Sequence, residues 1–214
     1  DDIDGFDVDH PDFVAQGMSA ATTGYESIHA AQNGKIFFIL SQAGELHKYN
    51  LSVPFDFRTA TYENEFAFST AIDSFSFSKD GTRMFSLNGT NNNLELTTFS
   101  LSSPFNTSIT PTQIHTVDLS TIGIDLVEGE NSAGTDVEFN DNGSEMFISV
   151  FNGEALVLDR IHQFSLGKNY DVSTANHQGS YEVQAVGRDN NEGRIEGVSF
   201  SSDGMKLFTT QSFT

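Results

Sequence analysis

The chain has 214 residues, with 30 acidic against 10 basic side chains, a net charge of −20 and a pI near 4.3. Such a balance excludes a nucleic-acid or anionic-membrane surface, both of which demand basic side chains. With no cysteine there is no disulfide, thiol chemistry or cysteine-ligated zinc, and the longest apolar run, Ile36–Leu40, is far short of the ~20 residues a spanning helix needs.

The first 19 residues form an acidic arm, Asp1-Asp2-Ile3-Asp4-Gly5-Phe6-Asp7-Val8-Asp9-His10-Pro11-Asp12, without a basic residue. Asp2, Asp4, Asp7 and Asp9 around Gly5 resemble a calcium loop, because Ca²⁺ takes six to eight oxygens from a tightly turned backbone. The Gly follows the second Asp and no Glu closes the loop, so the run departs from the EF-hand pattern; the competing reading is a solvated arm. Phe13–Gln16 adds one outer strand. The start at Asp1, without a signal-like segment, fits a processed or trimmed product.

From residue 20 onward one pattern recurs four times: IHAAQNGKIFF, FSFSKDGTRMF, VEFNDNGSEMF and VSFSSDGMKLF, centred on Gly34, Gly81, Gly143 and Gly204. Each glycine follows Asn or Asp and precedes a Phe by four residues. Asn-Gly or Asp-Gly between alternating apolar runs predicts a hairpin, with a type I′ turn that needs positive φ at both central residues. A third strand follows in three copies, at Leu46–Asp56, Leu96–Asn106 and Ile161–Asp171, each ending in an aromatic-acid or aromatic-amide turn. Fourth strands are predicted at Thr61–Phe68, Gln113–Leu119 and Ser180–Val186. The expected fold is therefore all-β, a β-propeller of four-stranded antiparallel blades. Blades fall at 25–68, 72–120 and 135–187, with a partial fourth at 195–214. That leaves either a fragment of a longer propeller or a subunit whose ring other chains complete.

The F-S-x-D-G-x-x-[ML]-F core, plainest in Phe77–Phe85 and Phe200–Phe208, resembles the propeller repeats of the TolB/WD40-like and YVTN-like group. The resemblance spans residues 20–214 and implies the fold; such propellers bind partners, carry sugars or peptides, and in some cases catalyse. The chain lacks the Trp-Asp and Gly-His dipeptides of WD40 repeats and has no Trp. Its 20 Phe are expected to fill the space between stacked blades.

Acids recur eight residues before the turn glycine, at Glu26, Asp73 and Glu196, with Asp136 one position later in the third copy. On first strands lining a channel they would form a ring able to hold a cation such as Ca²⁺, or they serve the scaffold by bonding neighbouring backbone. His47 and His162 share a repeat position that reads as the solvent-facing side of the third strand; no zinc spacing, nucleophile elbow or phosphate loop occurs. Sequons at Asn50, Asn88, Asn106 and Asn142 fall in predicted turns or strand ends, the positions a glycan needs. The segments Asn88–Asn93, Thr121–Gly134, Phe151–Asp159 and Arg188–Arg194 are the expected binding loops.

The functional expectation is a non-catalytic, extracellular or cell-surface propeller that binds other protein chains, copies of itself, or glycans, including as a subunit of a polymeric surface structure. The enzymatic alternative is a propeller hydrolase or lyase acting on sugars or lactones, with a divalent metal at the channel held by Glu26, Asp73, Asp136 and Glu196.

Overall fold

A computed structural model describes residues 24–90, 93–124, 133–151, 159–183, 193–201 and 203–213. The acidic arm with Asp2, Asp4, Asp7 and Asp9, the Phe13–Gln16 segment, and most of three expected binding loops lie outside the described residues. The chain divides into two compact units, one of residues 1–71 with 107–110 and one of 72–106 with 111–214.

The first unit holds one antiparallel meander: β1 (Tyr25–Ala31), β2 (Ile36–Ser41), β3 (Glu45–Leu51) and β4 (Ala60–Ala67), in that order. Every residue of β2 is buried, as a strand covered on both faces requires. The outermost strand, β4, alternates exposed and half-buried positions. Phe37, Ile39, Tyr49 and Leu51 form a buried cluster against which Phe57 and Tyr62 pack.

In the second unit the same meander occurs twice in full. One sheet is β5 (Ser74–Phe77), β6 (Arg83–Thr90), β7 (Asn93–Ser100) and β8 (Thr112–Asp118). The other is β9 (Ala133–Phe139), β10 (Glu145–Phe151), β11 (Asp159–Leu166) and β12 (Ala175–Val183). A two-stranded sheet, β13 (Gly193–Phe200) with β14 (Leu207–Phe213), follows. The core between the two full sheets joins Leu87, Leu94 and Leu96 of the first to Val137, Ile148 and Val150 of the second. Ile161, Ile195 and Val198 make a smaller cluster toward β13. Aromatic rings do fill the spaces between sheets: Phe85 and Phe139 lie with centroids 4.3 Å apart, and Phe147 and Phe200 4.5 Å.

Three local expectations need correction. The turns at Gly81, Gly143 and Gly204 are not type I′, since only the glycine of each Asp/Asn-Gly pair has positive φ. Asp80 shows why: its carboxylate accepts from Ser78 Oγ, Thr82 N and Thr82 Oγ1, closing a wider loop in which Gly81 N donates to Ser78 O. The side chain thereby supplies what a left-handed Asp would have supplied through its backbone. Only the first copy places Gln32, Asn33 and Gly34 all at positive φ. Strand β12 begins at Ala175, five residues before the predicted Ser180, because the polar Asn176-His177-Gln178 run hides the alternation of an outer strand. The expected loop Asn88–Asn93 is mostly strand, with β6 running to Thr90 and β7 resuming at Asn93.

Candidate functional site

The repeat-related acids lie on or just ahead of the first strand of each sheet, and Asp73, Asp136 and Glu196 are bonded to the scaffold. Asp73, just ahead of β5, accepts a 2.7 Å hydrogen bond from Gly89 N, while its own N–H donates to Leu87 O. Asp136 on β9 reaches across three sheets: Oδ1 accepts from Ser74 Oγ (2.7 Å) and from Val137 N (2.9 Å), and Oδ2 accepts from Val198 N at 2.9 Å. Burial pushes this carboxyl up against the pull of those three donors. Glu196 on β13 accepts from Ser212 Oγ and lies 3.3 Å from Arg194 Nε. Glu26 is exposed on β1 in the first unit. Among the described residues no three His, Asp or Glu side chains stand close enough to share a metal ion. Asp159, which sequence reading passed over, does the same work on β11, its Oδ2 accepting from Ile195 N at 2.7 Å.

A second device joins three of the turn glycines to an aromatic residue four or five positions beyond the third strand. Phe55, Phe105 and Tyr170 have φ of 60°, 57° and 58°. Each donates its backbone N–H to the glycine carbonyl, at 2.9 Å to Gly34, 2.9 Å to Gly81 and 2.8 Å to Gly143. Each lays its ring on the glycine so closely that a Cβ there would stand 2.5, 2.3 and 2.3 Å from ring carbons. The third copy shows the surroundings of this clasp. Tyr170 packs 5.6 Å from Phe139 and 6.3 Å from Phe85, its hydroxyl accepts from Lys79 N and donates to Asp141 O, and its carbonyl accepts from Arg83 Nη1 at 2.6 Å.

Between the third and fourth sheets the corresponding place is an open cavity of about 420 Å³. Glu138, Asp141, Glu145, Phe147, Phe200 and Gly204 line it. Gly204 has the same φ of 68° as Gly143, yet a Cβ there would meet nothing within 4 Å. Burial, reinforced by the Asp136 charge, pushes the Glu138 carboxyl up to about 8. Glu138 stands five residues before its turn glycine, where the second and fourth copies have Ser76 and Ser199. That acid-for-serine exchange in an apolar strand was the signal available in the sequence. His29 is its counterpart in the first copy, and burial lowers that imidazole to about 4.

Neither repeat histidine faces solvent as expected. His162 is buried, with Nδ1 3.2 Å from His177 Nε2 on the adjacent strand, and the half-buried His47 stands 3.6 Å from Glu65. Cross-strand side chains on the same face crowd both rings, His177 beside His162 and Glu65 with Tyr62 beside His47. Asn50 is exposed near the end of β3, and Asn88 lies in β6, half-buried opposite Glu95. Asn106 lies in the clasp turn, donating to Ser103 Oγ, and Asn142 is exposed beside Gly143.

No protein-family model matches the chain, and no curated protein does. Solved structures match clearly. A Bacteroides fragilis protein provisionally described as a 6-phosphogluconolactonase aligns with a TM-score of 0.54 at 14% identity, covering 88% of this chain and 48% of its own. The periplasmic gluconolactonase of Pseudomonas aeruginosa gives 0.52 at 11%, over 87% and 47%. Hydrazine synthase of Kuenenia stuttgartiensis gives 0.53 at 10%, over 85% and 48%. The fold is a β-propeller. Its four-stranded antiparallel blades are those expected from the TolB/WD40-like and YVTN-like resemblance, with three complete and the fourth partial. The chain spans about half the length of the propellers it matches.

Proposed function

We propose that the chain belongs to a non-catalytic interaction propeller, extracellular or at a cell surface, that binds other protein chains, copies of itself, or glycans, including in a polymeric assembly. The observation that carries this reading is the use of Asp136. Its carboxylate, the most deeply placed of the repeat-related acids in the second unit, is spent on donors from three blades. Asp73 and Glu196 are likewise engaged by scaffold groups. Asp136 thus ties neighbouring blades together while Asp73 and Glu196 brace their own sheets, which leaves blade edges and faces as the working surface. The acidic composition supports an exported, highly soluble protein.

A second reading has one specific support. Glu138, protonated up to about pH 8, lines a cavity and has the proton affinity of a general acid at neutral pH. Two of the similar propellers are described as lactonases, so a hydrolase acting on sugar lactones is the enzymatic alternative. Assays with gluconolactone and 6-phosphogluconolactone, with and without Ca²⁺, decide between them. The interaction reading expects no hydrolysis above the uncatalysed rate; turnover that is lost in Glu138→Gln overturns it. Calcium is proposed only for the arm, at Asp2, Asp4, Asp7 and Asp9. Titrating Ca²⁺ while following thermal unfolding should show a rise in Tm that Asp4→Asn with Asp7→Asn removes, and a flat response would remove calcium from the proposal.

A further inference from the structure

Two of the four repeat copies carry Asp immediately before the turn glycine, at Asp80 and Asp203, and two carry Asn, at Asn33 and Asn142. The third copy folds this turn as the Asp copies do. Gly81, Gly143 and Gly204 have φ of 69°, 68° and 68°. Oδ1 of Asp80 accepts from Thr82 N, that of Asp203 from Met205 N and that of Asn142 from Ser144 N, at 3.0, 3.0 and 2.9 Å. One turn therefore takes an amide or a carboxylate at this place, because the bonded atom is an oxygen in both. The first copy differs, with Asn33 itself left-handed. Asn142 is exposed, as is Asp80, whose turn lies against a complete neighbouring blade.

Asparagine before glycine is open to attack by its own backbone, since glycine has no side chain to shield its nitrogen. We propose that Asn142 is a site of spontaneous deamidation whose rate is set by the clasp at Gly143. Gly143 N attacks Asn142 Cγ, the new N–C bond closes a five-membered succinimide, and Nδ2 leaves with the Gly143 amide proton as ammonia. Water then opens the ring. Cleavage at Cγ gives aspartate, and cleavage at the main-chain carbonyl gives isoaspartate.

The clasp holds the nucleophile. Gly143 N donates to Asn140 O at 2.9 Å, and Gly143 O accepts from Tyr170 N at 2.8 Å, with the Tyr170 ring laid over the glycine. The nitrogen reaches Cγ only when the turn opens locally, so the reaction follows that opening. Asn88-Gly89 is the same dipeptide under tighter restraint. It lies inside β6, with Gly89 N held by Asp73 Oδ2 at 2.7 Å and Asn88 paired with Glu95. The two products at Asn142 also differ in consequence. Aspartate reproduces the turns of Asp80 and Asp203. Isoaspartate routes the main chain through Cγ, adds a methylene before Gly143 and moves the glycine from under Tyr170. That releases the bonds Tyr170 makes to the second blade, from Lys79 N to its hydroxyl and from Arg83 Nη1 to its carbonyl.

The test uses the full chain, made in a host that adds no N-linked glycan, and a synthetic peptide of residues 136–149. Both are held in warm, mildly alkaline buffer, and mass spectrometry of digests follows the gain of one mass unit at Asn142 and Asn88. Asn142 should convert at least tenfold more slowly in the protein than in the peptide, and at least tenfold faster than Asn88. Tyr170→Ala should speed conversion severalfold, whereas Tyr170→Phe, which restores the ring of the first two copies, should leave it within twofold of the parent. If Tyr170→Ala does not fold, the parent in urea below its unfolding transition gives the same reading, with a rate that climbs toward that of the peptide. Asn142→Asp should keep the parent Tm, and an isolated isoaspartate fraction should melt several degrees lower. Conversion at Asn142 no faster than at Asn88, or as fast as in the peptide and indifferent to Tyr170→Ala, overturns the proposal. An isoaspartate fraction as stable as the parent overturns the part given to the clasp. No outcome depends on a binding partner or on lactone hydrolysis, so this site and the interaction reading stand or fall separately.

Discussion

Two carboxyls two residues apart on β9 take opposite roles. Asp136 meets three donors and locks three blades together, whereas burial holds Glu138 in its acid form up to about pH 8. An unfolded Glu titrates near 4.5. The folded state therefore binds the extra proton between about pH 4.5 and 8, so stability is greatest below that window and falls as pH rises through it. Glu138→Gln keeps the shape without the ionisation. Urea unfolding of the variant should lose the downward slope across that window and gain on the order of 2–4 kcal/mol over the parent at pH 8.5. An unchanged slope would mean that Glu138 ionises freely in the folded chain.

At the scale of the element, the clasp is the unit that repeats. Gly143 and Gly204 have identical φ, but only Gly143 carries a ring on its face. Alanine at either position meets the backbone cost of the left-handed region, about 1 kcal/mol. At Gly143 it also drives Tyr170 off its seat. Gly143→Ala should therefore cost about 3 kcal/mol or more, and Gly204→Ala about 1 kcal/mol, in chemical denaturation. Equal costs would show that the rings contribute nothing beyond the turn. Much of this element was legible in the sequence. The Asp/Asn-Gly pairs located the hairpins, but the third strands end at Leu51, Ser100 and Leu166, five or six residues short of the predicted Asp56, Asn106 and Asp171, because the aromatic turns lie beyond the strands. The contact between the two was not legible, because Gly143 and Tyr170 belong to different hairpins and no local period links them. The one-residue offset of Asp136 was visible in the sequence, but its consequence was not. Asp136 matches Ser74 and Gly197 rather than Asp73, a one-residue shift that turns a presumed ring of acids into a hydrogen bond between blades. The buried His162 was misread because alternation alone does not show which cross-strand side chain, here His177, lies against it.

For the whole molecule the governing quantity is charge. With 30 acids and 10 bases the folded chain works against its own repulsion, and the described ion pairs, such as Lys79 with Asp141 and Arg160 with Glu182, engage few of the acids. Screening should help. Raising NaCl from about 20 mM to about 500 mM, which shortens the Debye length severalfold, should raise Tm by several degrees. A Tm that is flat or falls with salt would mean that attractive pairs outweigh the net repulsion. Fold class was readable at this scale because the repeat announces it.

The clasp also bears on how the chain folds. Each one ties a turn to the segment just beyond the third strand of the same blade, no more than 27 residues along the chain. Closing loops of that length costs little entropy, and contacts of short sequence separation form early. A blade can thus lock its second and third strands before any neighbour arrives, and the order of assembly need not follow the order of synthesis. Hydrogen bonds between blades, such as those of Asp136, would come later and set how cooperatively finished blades melt.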